Sequence, residues 1–240
     1  MKSKFVFSGQ SSDDYCLTIE YMPSYSTAKK NIDTYSVPGR SGALIFDTGT
    51  FGNVTQSYEV WLKAPSGMNT HKTAREIANW LLGQKGYQRL EDTYDPEVYR
   101  KAYFSGPVDV ENWFGKYGRC KLDFTCMPQR WLKSGEFRQD MASSGTLYNN
   151  WQPALPLIEI SGTGSCMIRV GRHLVGVSDI PGDGLVIDCE TQNAYSGETN
   201  CNDLIILDGG FPVLDNGENK ITILLGDVAT LKITPRWWCI

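Results

Sequence analysis

The chain has 240 residues and a formal net charge of −4, with 41% hydrophobic and 21% charged residues. That balance excludes disorder by composition and suits a soluble globular protein. The acidic charge and the lack of any extended Lys/Arg run exclude a protein that wraps nucleic acid, which needs a basic face. No apolar stretch approaches the ~20 residues of a membrane helix, so no membrane anchor is expected. The length allows one large β domain or two smaller ones, each with its own core. Aromatics make up 12% of the chain, which favours half-buried strand faces and interfaces.

The apolar part of the N-terminus, Phe5-Val6-Phe7, is too short for a signal peptide, so synthesis and folding in a cytosol are expected. The seven cysteines are odd in number and none shows Cys-x-x-Cys spacing. Without a secretion signal they read as reduced, small buried hydrophobes. A zinc site is disfavoured, because His71 and His173 are the only histidines and neither lies near a cysteine pair. No metal and no cofactor is expected.

Strand signals dominate the first half. Tyr15, Leu17, Ile19 and Tyr21 alternate with polar or small residues, as do Tyr58, Val60 and Leu62, and later Leu122, Phe124 and Cys126. Period-two alternation gives one buried and one exposed face. Val37-Pro38-Gly39-Arg40-Ser41-Gly42 reads as a turn or strand edge, since Pro cannot donate to a ladder and Gly permits positive φ. One helix is predicted between Asn69 and Gly83, where Ala74, Ile77, Ala78 and Leu81 fall at i, i+3, i+4 and i+7. Asn69 or Thr70 could cap it, Thr73 with Glu76 also fits a capping box, and Gly83 is the expected stop. Trp80 flanks the stripe and should pack on a sheet. Gly86 to Leu90 restarts a strand, Arg100 to Val110 continues the β pattern with Gly106-Pro107 as punctuation, and Cys120 to Met127 should end at Pro128.

From Gln129 to Gln152 the apolar periodicity fades, which places a domain boundary there. The second half reads as short strands, Leu157–Ile160, Cys166–Val170, Leu185–Cys189, Leu204–Leu207, Ile221–Leu225 and Leu231–Ile233, separated by Gly, Pro and Asp/Asn turns. That spacing suggests a β-sandwich. The predicted organisation is mainly β with one α-helix: a β domain over 1–130 with a helix at about 70–83, a linker over 131–150, and a β-sandwich over 151–240.

No catalytic set stands out. Gly162-Thr163-Gly164-Ser165 lacks the third glycine and the following helix of a dinucleotide loop, so it reads as a β-turn. Asp13-Asp14, or Asp92 with Asp95, could serve glycoside hydrolysis, but solvated turn acids are the weightier reading. Asp179, Asp183 and Asp188 lack calcium-loop spacing. His173 is a lone histidine near a strand end. Trp237-Trp238, with Trp131, Trp151 and Trp113, could form a sugar platform or could be core and subunit contacts.

Several stretches taken in order resemble a known family. They are Phe5-Val6-Phe7-Ser8-Gly9 with Ser11-Ser12-Asp13, the Val37–Gly42 turn, and Trp80-Leu81 followed by Gly86-Tyr87-Gln88-Arg89-Leu90. Further on come Leu122–Pro128, Asn149-Asn150-Trp151 with Pro153 and Pro156, Ile187-Asp188, Phe211-Pro212-Val213-Leu214 to Gly217-Glu218-Asn219, and Pro235-Arg236-Trp237. This ordering resembles the distal tail (Dit) proteins of long-tailed bacteriophages, whose "VPGRdG" turn matches Val37–Gly42. Asn150-Trp151 departs from the family's Asn-x-Gly, and Asp215 from its Pro-Gly before the asparagine, which leaves the local turn shape open.

The resemblance implies an N-terminal β-rich ring domain and a C-terminal galectin-like β-sandwich. It implies a homo-hexameric ring at the tail tip of the virion, assembled in the host cytoplasm. The ring would join the major tail (tube) protein to the tail hub or tail-associated lysin, with receptor-binding baseplate proteins as further partners. DNA would be only a passing cargo in the channel, which an acidic subunit suits. Pro38, Gly39, Arg40 and Gly42 are candidate assembly or loop-pinning residues; Trp237 and Trp238 are candidate interface or platform aromatics. The competing readings are a carbohydrate-binding sandwich for cell-wall glycans and, third, a carboxylate-dependent glycosidase.

Overall fold

Alternating side chains pull the long strands of the main N-terminal sheet onto a single apolar seam. In the computed structural model, which describes residues 3–141 and 144–240, 54% of the chain is strand, and the described residues hold one α-helix. The chain divides into two compact units, Met1–Arg130 together with Ile240, and Trp131–Cys239.

In the first unit β1 (Phe5–Phe7), β2 (Gln10–Ser11), β3 (Leu17–Ile19), β4 (Lys30–Ser36), β5 (Ala43–Phe51) and β6 (Val54–Lys63) precede α1 (Thr70–Leu82). After it come β7 (Gln88–Asp92), β8 (Val98–Phe104), β9 (Glu111–Trp113) and β10 (Tyr117–Leu132). The main sheet runs β2-β1-β7-β8-β10-β6-β3, with β9 on β10, while β4 and β5 pair only with each other. Along β6 and β10 the alternation holds as expected: Tyr58, Val60 and Leu62 face inward opposite Leu122 and Cys120.

The core of this unit is a nest of rings. Phe5 stacks on Tyr58 at 5.0 Å, Phe7 meets Phe124 at 5.0 Å, and Phe104 meets Phe124 at 5.2 Å. Helix α1 closes the nest with Ile77, Trp80 and Leu81. The Trp80 indole lies flat on Tyr15 at 4.3 Å, and its N–H donates to the Phe7 carbonyl at 3.3 Å. Asn69 is the cap: its Oδ1 accepts from the Lys72 N–H at 2.9 Å, which satisfies a free donor of the first turn.

Two boundaries differ from the sequence reading. Tyr15 belongs to a 3₁₀ turn, Ser12–Tyr15, held by the reciprocal Ser11/Asp14 capping box, and Tyr21 lies beyond β3 and is exposed. Pro128 does not end β10: the ladder with β6 stops at Cys126 opposite Val54, so no β6 acceptor requires a donor at Pro128.

The second unit contains β11 (Gln139–Asp140), β12 (Ser144–Asn149), β13 (Leu157–Val170), β14 (His173–Val177), β15 (Leu185–Asp188), β16 (Asn193–Ser196), β17 (Thr199–Asn200), β18 (Ile205–Asp208) and β19 (Gly217–Thr234). Residues expected to form a linker thus hold a 3₁₀ turn, Lys133–Glu136, and strands that pair with β19.

Four of the expected short strands are halves of two long ones, because β13 and β19 pair along most of their length. The glycines that read as turns are bends in that pair. A side chain at Gly162 would sit 2.2 Å from the Asp227 carbonyl, and one at Gly226 would sit 2.4 Å from the Ser165 carbonyl. The register shifts there, so the strands curl and both halves serve one core. Ile158, Ile160, Ile168, Ile187, Ile221 and Ile233 fill it.

Truncating the residue that most rings in the first core touch should be costly. Phe124→Ala should lower stability by about 3–5 kcal/mol, read as a fall in the urea midpoint at unchanged slope.

Candidate assembly interface

A hairpin needs a covered face to be stable, and β4–β5 has none within the described chain. No residue of either strand is buried. Register puts Ile32 opposite Asp47 and Thr34 opposite Ile45 on one face, and Asp33 opposite Phe46 and Tyr35 opposite Leu44 on the other. Both faces therefore carry large apolar side chains: Ile45 is 69% and Phe46 55% exposed. A Tyr35–Phe46 edge contact at 5.5 Å and a Lys30–Asp47 ion pair stiffen the ribbon from within.

The turn singled out by sequence joins these strands. Gly39 and Gly42 take φ of 79° and 83°, and the Arg40 N–H donates to the Val37 carbonyl at 3.2 Å. Pro38, Gly39, Arg40 and Gly42 are thus brought together at one exposed tip. Among the described residues no ion pair or side-chain hydrogen bond engages Arg40, so the geometry provides no contact for loop pinning.

The other marked residues are structural ties inside the second unit. The Arg236 guanidinium donates to Asp188 at 2.6 and 3.2 Å, with Arg236 itself at φ 57°. Burial alone would raise the Asp188 carboxyl. The guanidinium, with the N–H groups of Glu190 and Thr191, outweighs it and holds the group below the ordinary carboxylate value. Asn149 donates to the Gln152 and Leu214 carbonyls, both at 2.9 Å, and accepts from the Trp151 N–H, while Asn219 bridges the Asp215 backbone. Where turn shape was open, these asparagine bonds set it. Sequence reasoning missed that Asp188 and Arg236 pair, and that Asn149 reaches Leu214; nothing in local spacing reports contacts between such distant residues.

Trp237 is a correction. It is 7% exposed and belongs to the core, and its carbonyl accepts from the Leu132 N–H at 2.9 Å. A docked indole cannot serve as a platform or an interface. Trp238 is partly buried, with its indole N–H on the Pro153 carbonyl at 2.9 Å, and Trp131 is buried too.

The candidate acid pairs sit at turns, and His173 is buried in β14. Asp92 accepts from the Tyr58 hydroxyl at 2.7 Å and from the Tyr94 and Asp95 N–H groups, which is a turn cap, and Asp14 caps Ser11. The Gly162–Ser165 segment is the bent part of β13 and not a phosphate loop. None of the seven cysteines is in a disulfide. Burial pushes Cys120 and Cys189 to about 12 and Cys126 to about 11, so these stay protonated and poorly nucleophilic near neutral pH. Among the described residues no group of His, Cys, Asp or Glu is placed to hold a metal ion, and no helix is long and apolar enough to cross a membrane.

Residues 1–127 match the family model described as the phage tail protein N-terminal domain. The chain belongs to this family of phage tail proteins. Among solved structures it is similar to the SPP1 Dit (gp 19.1) protein, described as a paradigm of the hub adsorption apparatus in phages infecting Gram-positive bacteria, at 12% identity and TM-score 0.78, covering 98% of this chain and 99% of that one. It is also similar to chains of the phage P2 baseplate in its activated conformation with Ca (8% identity, TM-score 0.54) and with Sr (10%, 0.52), each covering 97% of both chains. At these identities the likeness is one of fold: mainly β with a single helix, the distal tail protein fold. No curated protein matches.

The Asp188–Arg236 tie sets a pH dependence. Because the folded-state value is depressed, its contribution is full above the unfolded carboxylate value of about 4. It is lost as pH falls through the lower folded value. Asp188→Asn should lower the thermal midpoint at pH 7 and flatten its fall over that acid range relative to wild type. An unchanged acid limb would show that the tie adds nothing.

Proposed function

We propose that this phage tail protein is a structural subunit of the tail tip, six copies of which close into a ring between the major tail (tube) protein and the tail hub or tail-associated lysin. In this reading the 1–130 region forms the ring, and the 151–240 region is a galectin-like sandwich available to receptor-binding baseplate proteins. The protein acts by geometry and not by catalysis, with DNA only passing through the channel and assembly taking place in the host cytoplasm.

The observation that carries the reading is the β4–β5 ribbon. A lone two-stranded hairpin is marginal in water, and apolar residues on both of its faces call for cover from other surfaces. Ring closure needs two different self-surfaces meeting head to tail, and an arm received by a neighbouring copy is one such pair. The fold shared with SPP1 Dit supports the same placement. Arg40, at the tip and unengaged, is a fitting contact for an acidic neighbour. The sugar-platform alternative is weakened, since Trp237 and Trp131 are buried and only Trp151 and Trp113 of its other tryptophans are exposed.

Replacing residues 31–50 by a short Gly-Ser link removes no core residue. The shortened chain should keep its near-UV spectrum and thermal midpoint within a few degrees. On sizing, wild type should elute as a ring and the shortened chain as monomer, with Arg40→Glu between them. Equal elution of all three would exclude the arm.

A further inference from the structure

A second exposed feature lies at the opposite extreme of sequence preference. The β9–β10 turn, Trp113-Phe114-Gly115-Lys116, closes through the Lys116 N–H on the Trp113 carbonyl at 3.3 Å, with φ of 54° at Phe114 and 69° at Gly115. Turns with two left-handed residues favour Asn-Gly, and a bulky residue in that region is an outlier. Here the first position holds a phenylalanine whose side chain is wholly in solvent, at 102% exposure. The tip is nevertheless fixed. Trp113 packs edge-on against Trp61 at 5.0 Å, the Ala64 N–H donates to the Lys116 carbonyl at 2.9 Å, and the Thr70 N–H donates to the Gly115 carbonyl at 3.1 Å. Three exposed lysines lie on the elements that hold the turn: Lys116 within it, Lys63 opposite Tyr117 in the β6–β10 ladder, and Lys72 in the first turn of α1, two residues past Thr70, which bonds the Gly115 carbonyl.

The second unit carries the complement. On its outer face Leu225, Met167, Gly176 and Ile206 lie in one cross-strand row over β19, β13, β14 and β18. Gly176 contributes no side chain between Met167 and Ile206, and the result is an apolar cleft of about 340 Å³ with Cys166 and Gly226 on its wall. Ile206 and Leu225 are 70% and 65% exposed. Three exposed acids flank it: Asp179 and Asp227 each follow a lining residue, and Asp203 precedes Leu204, whose carbonyl is held by the Ser178 N–H; against them stands the exposed Arg169, two residues along β13 from Met167.

From this complementarity of shape and sign, we propose that the Phe114 tip of one copy docks into the Met167–Gly176–Ile206 cleft of a second copy, with the lysines facing the aspartates. Plug and notch are different patches of one chain, so the contact is head to tail and can propagate around a ring. An aromatic anchor in a small apolar pocket, presented by a rigid turn, loses little freedom on binding. The inference rests on the self-assembly proposed above and adds a contact independent of the β4–β5 arm.

The test places the photoreactive analogue benzoylphenylalanine at position 114 of the purified full-length chain and maps the adduct after irradiation. The expected adduct lies within 165–178, 204–208 or 224–228 of a second copy. Phe114→Asp, and separately Gly176→Leu, should weaken self-association about tenfold or more, whereas Phe114→Leu should retain most of it. Four results would overturn the proposal: an adduct elsewhere on a second copy, an adduct only with a different protein, no adduct at concentrations up to those of assembly, or unchanged association of Phe114→Asp. The arm-deleted chain separates the two ideas. With the arm present, a ring without the adduct sinks this contact alone; in the arm-deleted chain, a ring that still gives the adduct retains this contact while sinking the arm.

Discussion

An extended ribbon with apolar side chains on both faces cannot be at rest in water, and much of this protein's organisation follows from that. Cross-strand pairs such as Thr34–Ile45 and Tyr35–Leu44 contribute a few tenths of a kcal/mol to about 1 kcal/mol each. That is enough to keep the ribbon straight and too little to make it an independent unit. No residue of it joins either core. The exposed surface is therefore the part of the fold that the proposed assembly would cover.

The rest of the structure keeps such surfaces in place. In the first unit the ring nest of Phe5, Phe7, Tyr58, Trp80 and Phe124 fixes the sheet against α1, and the sheet fixes the turns at its ends. In the second, long strands with glycine bends curl the sheet, while Asn149, Asn219 and the Asp188–Arg236 pair tie distant loops down. Buried polar groups of this kind stabilise only when satisfied. Asn149 and Asn219 use their amides on backbone atoms, so they define loop shape and leave nothing over for chemistry. The same holds for the carboxylate of Asp92, which is taken up by a hydroxyl and two backbone donors.

Much of the fold was legible along the chain wherever one periodicity decided the outcome. Leu122, Phe124 and Cys126 alternate and are buried, and Ile77 and Leu81 lie on the buried stripe of α1. The Val37–Gly42 turn was marked by Pro and two glycines that do take positive φ. Reading failed where a residue has two physical uses. Gly162 and Gly226 signal turns by type, yet their lack of a side chain serves close strand crossing. Pro128 signals a stop but lies past the end of the β6 ladder.

The amino-acid sequence by itself determined the β character, the single helix between Asn69 and Gly83, and the ordered motifs of a tail protein family, because these depend on local spacing and residue type. Tertiary structure alone decided which marked residues are used up and which are free. Trp237 went into the core, Asp188 found Arg236, and the β4–β5 ribbon and Phe114 were left uncovered. Exposure depends on what the rest of the chain brings alongside, and contacts between residues dozens of positions apart leave no periodic trace.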